Sequence, residues 1–225
     1  MEAVENVGCC IAVQNEAIAP ADGVLYAIRD VTDTIDSVPL ITASIISKKA
    51  AEGLSALVLD VKTGRAAFMK TQEQARELAA SMVQTAEGLG IQTVAQLTAM
   101  DQPIGTHIGN ALEVIESVRV LQGEGSPDTR ELVVLQGAAL LAMTGVSADR
   151  DEGRRRMEAV LTNGSALDRF RDMCIQQGVD EETAQLLVRN PERVVGTAPH
   201  QTTVLADREG SVSYTHLTLP TKVRV

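Results

Sequence analysis

Apolar and polar positions change their spacing several times along this chain, and each change marks an element. Residues 7–14 (VGCCIAVQ) are a short apolar run that predicts a buried strand. Two turn signals follow, Pro20 and Gly23, and 24–29 predicts a short helix. VPLITASIISKKAA (Val38–Ala51) predicts a stronger one, with Pro39 near its first turn and Gly53 just beyond its end. Residues 54–61 (LSALVLDV) are apolar and too short for a typical helix, so they predict a core strand of a sheet covered on both faces. Thr71 and Gln74 make a capping box that opens a helix, and Gly88 and Gly90 close it. Another strand is expected over 91–100, then a turn at DQPIG (101–105). Helices are expected over 106–121, from Ser126-Pro127-Asp128 to Gly145, and over about 148–161, 165–177 and 180–189. Strand, helices, strand, helix, strand, helices is an α/β pattern with a helical excess in its second half.

Composition removes several function classes. The 225 residues hold 30 acids against 20 bases, a formal net charge of −10. A nucleic-acid binder of this size carries a basic excess to neutralise phosphates. Aromatic residues are 2%, with no Trp, two Phe and two Tyr, which leaves no stacking platform for single strands. Neither nucleic acid nor a membrane is an expected partner. No apolar run reaches the roughly 18–20 residues of a membrane-spanning helix, and MEAVENVGCC lacks the basic start of a secretory signal. Cys9, Cys10 and Cys174 are an odd set, so free thiols in a reducing, cytoplasmic compartment are expected. On a strand, Cys9 and Cys10 would face opposite ways and serve as packing residues. His107 and His200 have no Cys or His at metal spacing, so no metal site is expected. The basic run Arg154-Arg155-Arg156 is flanked by acids and reads as a solvated helix face.

The stretch 26–49 carries the candidate chemistry. On a helix over Val38–Ala51, Ile41, Ser44 and Lys48 stand at i, i+3 and i+7, on one face. Leu40, Ile45 and Ile46 surround them, and Arg29 comes from the preceding helix. An Arg, a Ser and a Lys on an apolar wall can read a planar heterocycle with two carbonyls and a ring N–H, the pattern of thymine and uracil. The same residues also suit a plain structural role. Lys48 and Lys49 would end a helix against its dipole, and Ser44 would bond back to a carbonyl.

The run AIRDVTDTIDSVPLITASIISKK (27–49) resembles the ARDVTxTxDSxPLITASIxSKK hallmark of the thymidine phosphorylase and pyrimidine nucleoside phosphorylase family. GRAAFMK (64–70), QARELAA (74–80), LTAMDQPIGTHIGNALEV (97–114) and the segments 53–62, 164–169 and 177–180 resemble the same family in the same order. The similarity runs from residue 1 to about 211 and is animal-like. It implies reversible phosphorolysis of a pyrimidine 2′-deoxynucleoside, such as thymidine, to free base and 2-deoxyribose 1-phosphate. Inorganic phosphate is the co-substrate, and no cofactor is implied. The base-binding residues fall on Arg29, Ser44 and Lys48, with Arg29 and Lys48 as catalytic donors. A stacking ring falls on Tyr26 and an apolar contact on Ile41.

The resemblance also implies architecture. The expected fold is a piece of a mixed-sheet α/β domain (1–20 and 52–211) with part of a small helical lobe (21–51), in a homodimer associating through that lobe. The family's phosphate segment, a Lys-His-Ser-type loop with a Gly-rich turn, has no match in this chain. The nearest turn, Lys62-Thr63-Gly64-Arg65, lacks the closely spaced Gly and hydroxyl residues of a phosphate cradle. Some bacterial members hold a monovalent cation at positions matching Ile104, His107 and Glu116. Met1 resembles an internal methionine of a longer protein, and 206–210 the start of a C-terminal subdomain. VSYTHLTLPT, within 212–225, resembles a reading-frame translation of a sequencing-library adapter, so Tyr214 and His216 are set aside. Two alternatives accompany the phosphorylase expectation. One is a catalytically incompetent fragment that at most binds base or forms dimers. The weaker one is a phosphoribosyltransferase, whose pyrophosphate loop has no match in the chain either.

Overall fold

A computed structural model of the chain describes residues 2–12, 18–196 and 198–205. They fall into two compact units. One comes from the described parts of 13–103 and 139–147, the other from those of 1–12, 104–138 and 148–210. The expectations for 206–225, including Tyr214 and His216, lie outside the described residues.

The first unit begins with α2 (Pro20–Thr32), which follows α1 (Glu2–Val7) of the other unit along the chain. Helix α3 (Val38–Ala51), strand β1 (Ala56–Thr63), helix α4 (Gln72–Gly88) and strand β2 (Gln92–Ala99) follow. β1 and β2 pair in parallel, from Ala56 opposite Gln92 to Thr63 opposite Ala99, with α4 as the crossover. Leu57, Leu59 and Val61 of β1, Leu78, Ala79 and Met82 of α4, and Ile46 of α3 bury one common core. α3 is tied to α4 by a 2.9 Å hydrogen bond between the Thr42 and Ser81 hydroxyls.

The α/β class holds, and the described residues contribute two parallel strands to it. The expected cover on both faces of β1 does not. Its alternate residues Asp60 and Lys62 form a polar face with Thr98 of β2, in which Lys62 Nζ lies 2.8 Å from Asp60 and donates to Thr98 at 3.0 Å. Burial of those groups is replaced by pairing among themselves. α2 is also longer than the expected 24–29. It gains a first turn from Pro20, whose fixed φ suits that position. Its residues Val24, Leu25, Ile28 and Val31 are exposed.

The second unit is helical. It holds α1, α5 (Asn110–Leu121), the first part of α6 (Pro127–Met143), α7 (Arg150–Thr162), α8 (Ser165–Gln176), α9 (Glu181–Arg189) and a short α10 (Pro191–Val195) that the sequence pattern did not predict. Asp149 and Asp180 cap α7 and α9 by accepting backbone N–H bonds from Glu152 and Thr183. Arg154 pairs with Glu131 and Glu158, and Arg156 with Glu152, as expected of a solvated face.

The strand expected at 7–14 is absent among its described residues. Val7 ends α1, and 8–12 are irregular. The Gln177 side chain takes the place of a pairing strand: its amide accepts from Ile11 N–H at 3.0 Å and donates to Ile11 C=O at 2.6 Å. Cys9 is half-buried and Cys10 exposed, so Cys10 is not the packing residue expected. The helix expected from 106 starts at Asn110, because Gly109 before it has a φ of +119°, outside the helical region. No helix among the described residues is long and apolar enough to cross a membrane.

The predicted capping box is complete. Thr71 Oγ1 accepts from Gln74 N–H, and the Gln74 side chain accepts from Thr71 N–H. Thr71→Ala is expected to destabilise the chain by about 1 kcal/mol, read as a lower urea midpoint at unchanged denaturant slope.

Candidate functional site

Two short stripes of side chains stand on neighbouring helices beside one cavity. On α2, Asp22, Tyr26 and Arg29 stand at i, i+4 and i+7. On α3, Ile41, Ser44 and Lys48 stand at i, i+3 and i+7. The cavity is about 450 Å³ and is lined by Tyr26, Arg29, Ile41, Ser44 and Lys48 from these helices. Its other wall is the C-terminal end of β1 (Asp60, Val61, Lys62), the loop residues Phe68 and Met69, and Met100 just past β2. Carboxyl ends of parallel strands are where open α/β sheets take ligands, since the loops there diverge from the sheet. All five residues singled out from the sequence thus lie on one surface. Phe68, 70% exposed, and Tyr26 give the cavity two of the chain's four aromatic rings.

Charge in this site is concentrated and partly withdrawn from water. Arg29 and Asp22 are buried, as is Ser44. Lys48 Nζ lies 2.7 Å from Asp22 Oδ2 and donates to Ser44 Oγ at 3.0 Å. Burial alone raises the Asp22 carboxyl's pKa. Hydrogen bonds from Lys48 and Ser44, and the charges of Lys48 and Arg29, outweigh it and hold the group below its ordinary value. Arg29 spends three of its five N–H groups on the turn between α2 and α3 and on the first turn of α3. Nε donates to Thr34 C=O at 3.4 Å, Nη1 to Leu40 C=O at 3.3 Å, and Nη2 to Ile35 C=O. Its guanidinium carbon stands 5.3 Å from the centroid of the Tyr26 ring, within cation–π range. Two Arg29 N–H groups and one Lys48 N–H remain for a ligand. Arg29, Lys48 and Asp22 together leave one net positive charge, which suits a ligand on which negative charge develops.

In and just after the turn Lys62-Thr63-Gly64-Arg65, four successive amides are already engaged. Gly64 N–H donates to Met69 C=O, Arg65 N–H to Asp101 Oδ1, Ala66 N–H to Met100 C=O and Ala67 N–H to Gly64 C=O. At Gly64 (φ +131°) the backbone lies against the Asp101 carboxylate, where an added Cβ has no room. These bonds fasten the loop after β1 to the end of β2, and so hold Phe68 and Met69 at the cavity.

Of the cation positions suggested by resemblance, Glu116 is buried, and it organises its own loop. It accepts from Thr106 N–H at 2.9 Å, Thr106 Oγ1 at 3.2 Å and His107 N–H at 3.2 Å. Burial pushes its carboxyl up, but these bonds and one from Ser126 bring it below the usual range. The N–H donors account for this buried carboxylate without an ion. No cluster of three or more His, Cys, Asp or Glu suited to a metal occurs among the described residues.

Residues 1–167 match the family model described as "Glycosyl transferase family, a/b domain". Thymidine phosphorylase of Rattus norvegicus is 54% identical over 187 residues, which are 83% of this chain and 39% of that protein. Thymidine phosphorylase of Homo sapiens is 48% identical over 213 residues, 93% of this chain and 44% of that protein. Pyrimidine-nucleoside phosphorylase of Bacillus subtilis (strain 168) is 46% identical over 200 residues, 89% of this chain and 45% of that protein. The chain therefore spans less than half the length of these relatives. With the matched model covering most of its residues, the chain belongs to the glycosyl transferase a/b-domain family, among the thymidine and pyrimidine-nucleoside phosphorylases.

Proposed function

We propose that this chain carries the pyrimidine-binding half of a thymidine phosphorylase. In the full-length protein that enzyme cleaves thymidine and related pyrimidine deoxynucleosides with phosphate, reversibly, to free base and 2-deoxyribose 1-phosphate. The observation behind this reading is the meeting of Tyr26, Arg29, Ile41, Ser44 and Lys48 on one cavity. As the glycosidic bond breaks, its electron pair goes to the base nitrogen and negative charge spreads to the ring carbonyls. The free N–H of Lys48 and those of Arg29 donate to those oxygens, and such bonds strengthen as the charge grows. Ser44 accepts from the ring N–H, while Tyr26 and Ile41 cover the ring's apolar surface.

On the same reading the segment 21–51 is part of a lobe that closes over the substrate and excludes water. The protein works in the cytoplasm as a homodimer, and the exposed Val24, Ile28 and Val31 along α2 supply apolar surface for association. A second reading draws on the spent amides of the turn after β1: the 225-residue chain by itself binds base without turning it over.

Lys48→Ala in the full-length protein is expected to lower kcat/KM for thymidine by roughly 100- to 1,000-fold, with most of the loss in kcat. Steady-state kinetics with excess phosphate read this, and a loss confined to KM contradicts it. The isolated chain is expected to release no thymine from thymidine, with or without phosphate, when free base is followed by chromatography. Phosphate-dependent release by the chain overturns the second reading, and none by the full-length protein overturns the phosphorylase reading.

A further inference from the structure

Two ionisable side chains that base binding leaves unused also line the cavity, Asp60 and Lys62. They stand two apart on β1, so they share one face of the strand, and Thr98 lies directly opposite Lys62 on β2. The three form a closed set. Lys62 Nζ lies 2.8 Å from Asp60 Oδ2 and donates to Thr98 Oγ1 at 3.0 Å, while Thr98 Oγ1 donates to Asp60 Oδ1. Location and leftover valence set this group apart from an ordinary cross-strand pair. It sits at the carboxyl ends of the two parallel strands, on the cavity wall other than that of Arg29, Ser44 and Lys48. An ammonium has three protons, so one remains beyond the two used, and each Asp60 oxygen keeps a lone pair. Both side chains are partly exposed, Lys62 by 33% and Asp60 by 26%, so a ligand can reach them. At about 450 Å³ the cavity is of the size that takes a whole small ligand, more than one pyrimidine ring fills.

Charge narrows what that ligand part can be. Asp60 and Lys62 cancel, so the pair offers no net charge to a phosphate, whereas Arg29, Lys48 and Asp22 keep one net positive charge. A donor and acceptors at one place complement a hydroxyl, which donates one proton and accepts through its lone pairs. We propose that Asp60 and Lys62 form a sugar subsite that holds one hydroxyl of the nucleoside's deoxyribose. Lys62 donates to the hydroxyl oxygen, Asp60 accepts its proton, and Thr98 positions both by bonding to each. The proposal rests on the phosphorylase reading for the identity of the substrate and adds two residues that touch its sugar. The charge balance also suits the reaction. As the glycosidic bond breaks, its electron pair leaves with the base and the sugar carbon becomes electron-poor. A bare ammonium beside the sugar would oppose that positive charge, and the Asp60 carboxylate removes the opposition.

The test uses the full-length protein with Lys62→Met, and with Asp60→Leu/Lys62→Met, which strands no charge should the single change fail to fold. kcat/KM is measured for thymidine, 3′-deoxythymidine and 5′-deoxythymidine, and calorimetry gives the affinities of the same nucleosides and of free thymine. Either variant is expected to lose at least about tenfold in kcat/KM and in affinity for thymidine. It is expected to show no loss with the one analogue that lacks the contacted hydroxyl, and to bind free thymine as the wild type does. An equal loss for all three nucleosides marks a structural role. Weakened thymine binding puts the pair at the base, and a loss seen only as a raised KM for phosphate puts it at the anion. Each of these overturns the proposal, as does no loss at all. A wild-type protein that binds thymidine and thymine without turnover counts against the phosphorylase reading. The subsite then stands if the variants weaken thymidine and spare thymine, and falls if they do not.

Discussion

A buried guanidinium and a half-buried ammonium on adjacent helices need compensation, and in this protein one carboxylate and a stretch of backbone provide it. Asp22 takes Lys48, while two carbonyls of the connection between α2 and α3 and one in the first turn of α3 take Arg29. A charge moved out of water without such partners costs several kcal/mol. The conformation of residues 34–40 and the stripe pairing of α2 with α3 are thus consequences of one electrostatic requirement. The same requirement suits the place of Lys48 in the chain. It stands in the last turn of α3, where the helix dipole favours a cation, and its Nζ reaches the Asp22 carboxylate on the neighbouring helix.

The opposite wall is set by a different constraint. Parallel strands cannot be joined by a tight hairpin, so β1 and β2 require the α4 crossover, and their ends open toward the same side. Residues 64–67 close that side by spending their own amides on Met69, Asp101, Met100 and Gly64. The result is a rigid apolar shelf carrying Phe68 and Met69. A shelf made that way can hold a flat ring, and the amides of residues 64–67 are already engaged within it.

Much of this was legible in the residues. α3 has the bounds that its Pro and Gly punctuation predicts, the Thr71 box forms as written, and the i, i+3, i+7 stripe on α3 does face a cavity. Asp22 was missed because the helix that carries it was expected to start only at 24. The i, i+4, i+7 relation to Tyr26 and Arg29 appears only once Pro20 is seen to begin the helix. Phe68 was missed for another reason: it lies in a loop, where periodicity carries no information. The apolar run at 7–14 shows a third kind of gap. Such a run reports burial potential and says nothing about whether a neighbouring strand exists to complete its ladder. Gln177 completes it instead, and no local signal connects a glutamine to a segment 166 residues away.

That separation has a consequence for how the chain acquires its shape. Arg169 and Gln177 reach back to Val7 and Ile11, closing a loop of more than 160 residues. The helices and strands from 20 to 99 find their partners within a short span of chain. Contacts across long spans carry a larger closure entropy and form late. During synthesis the segment holding α2, α3, β1, α4 and β2 is complete while Val7 and Ile11 still wait for α8 to leave the ribosome. The order of assembly is therefore written into the topology: the ligand-facing half matures first, and the N-terminal segment is fastened last.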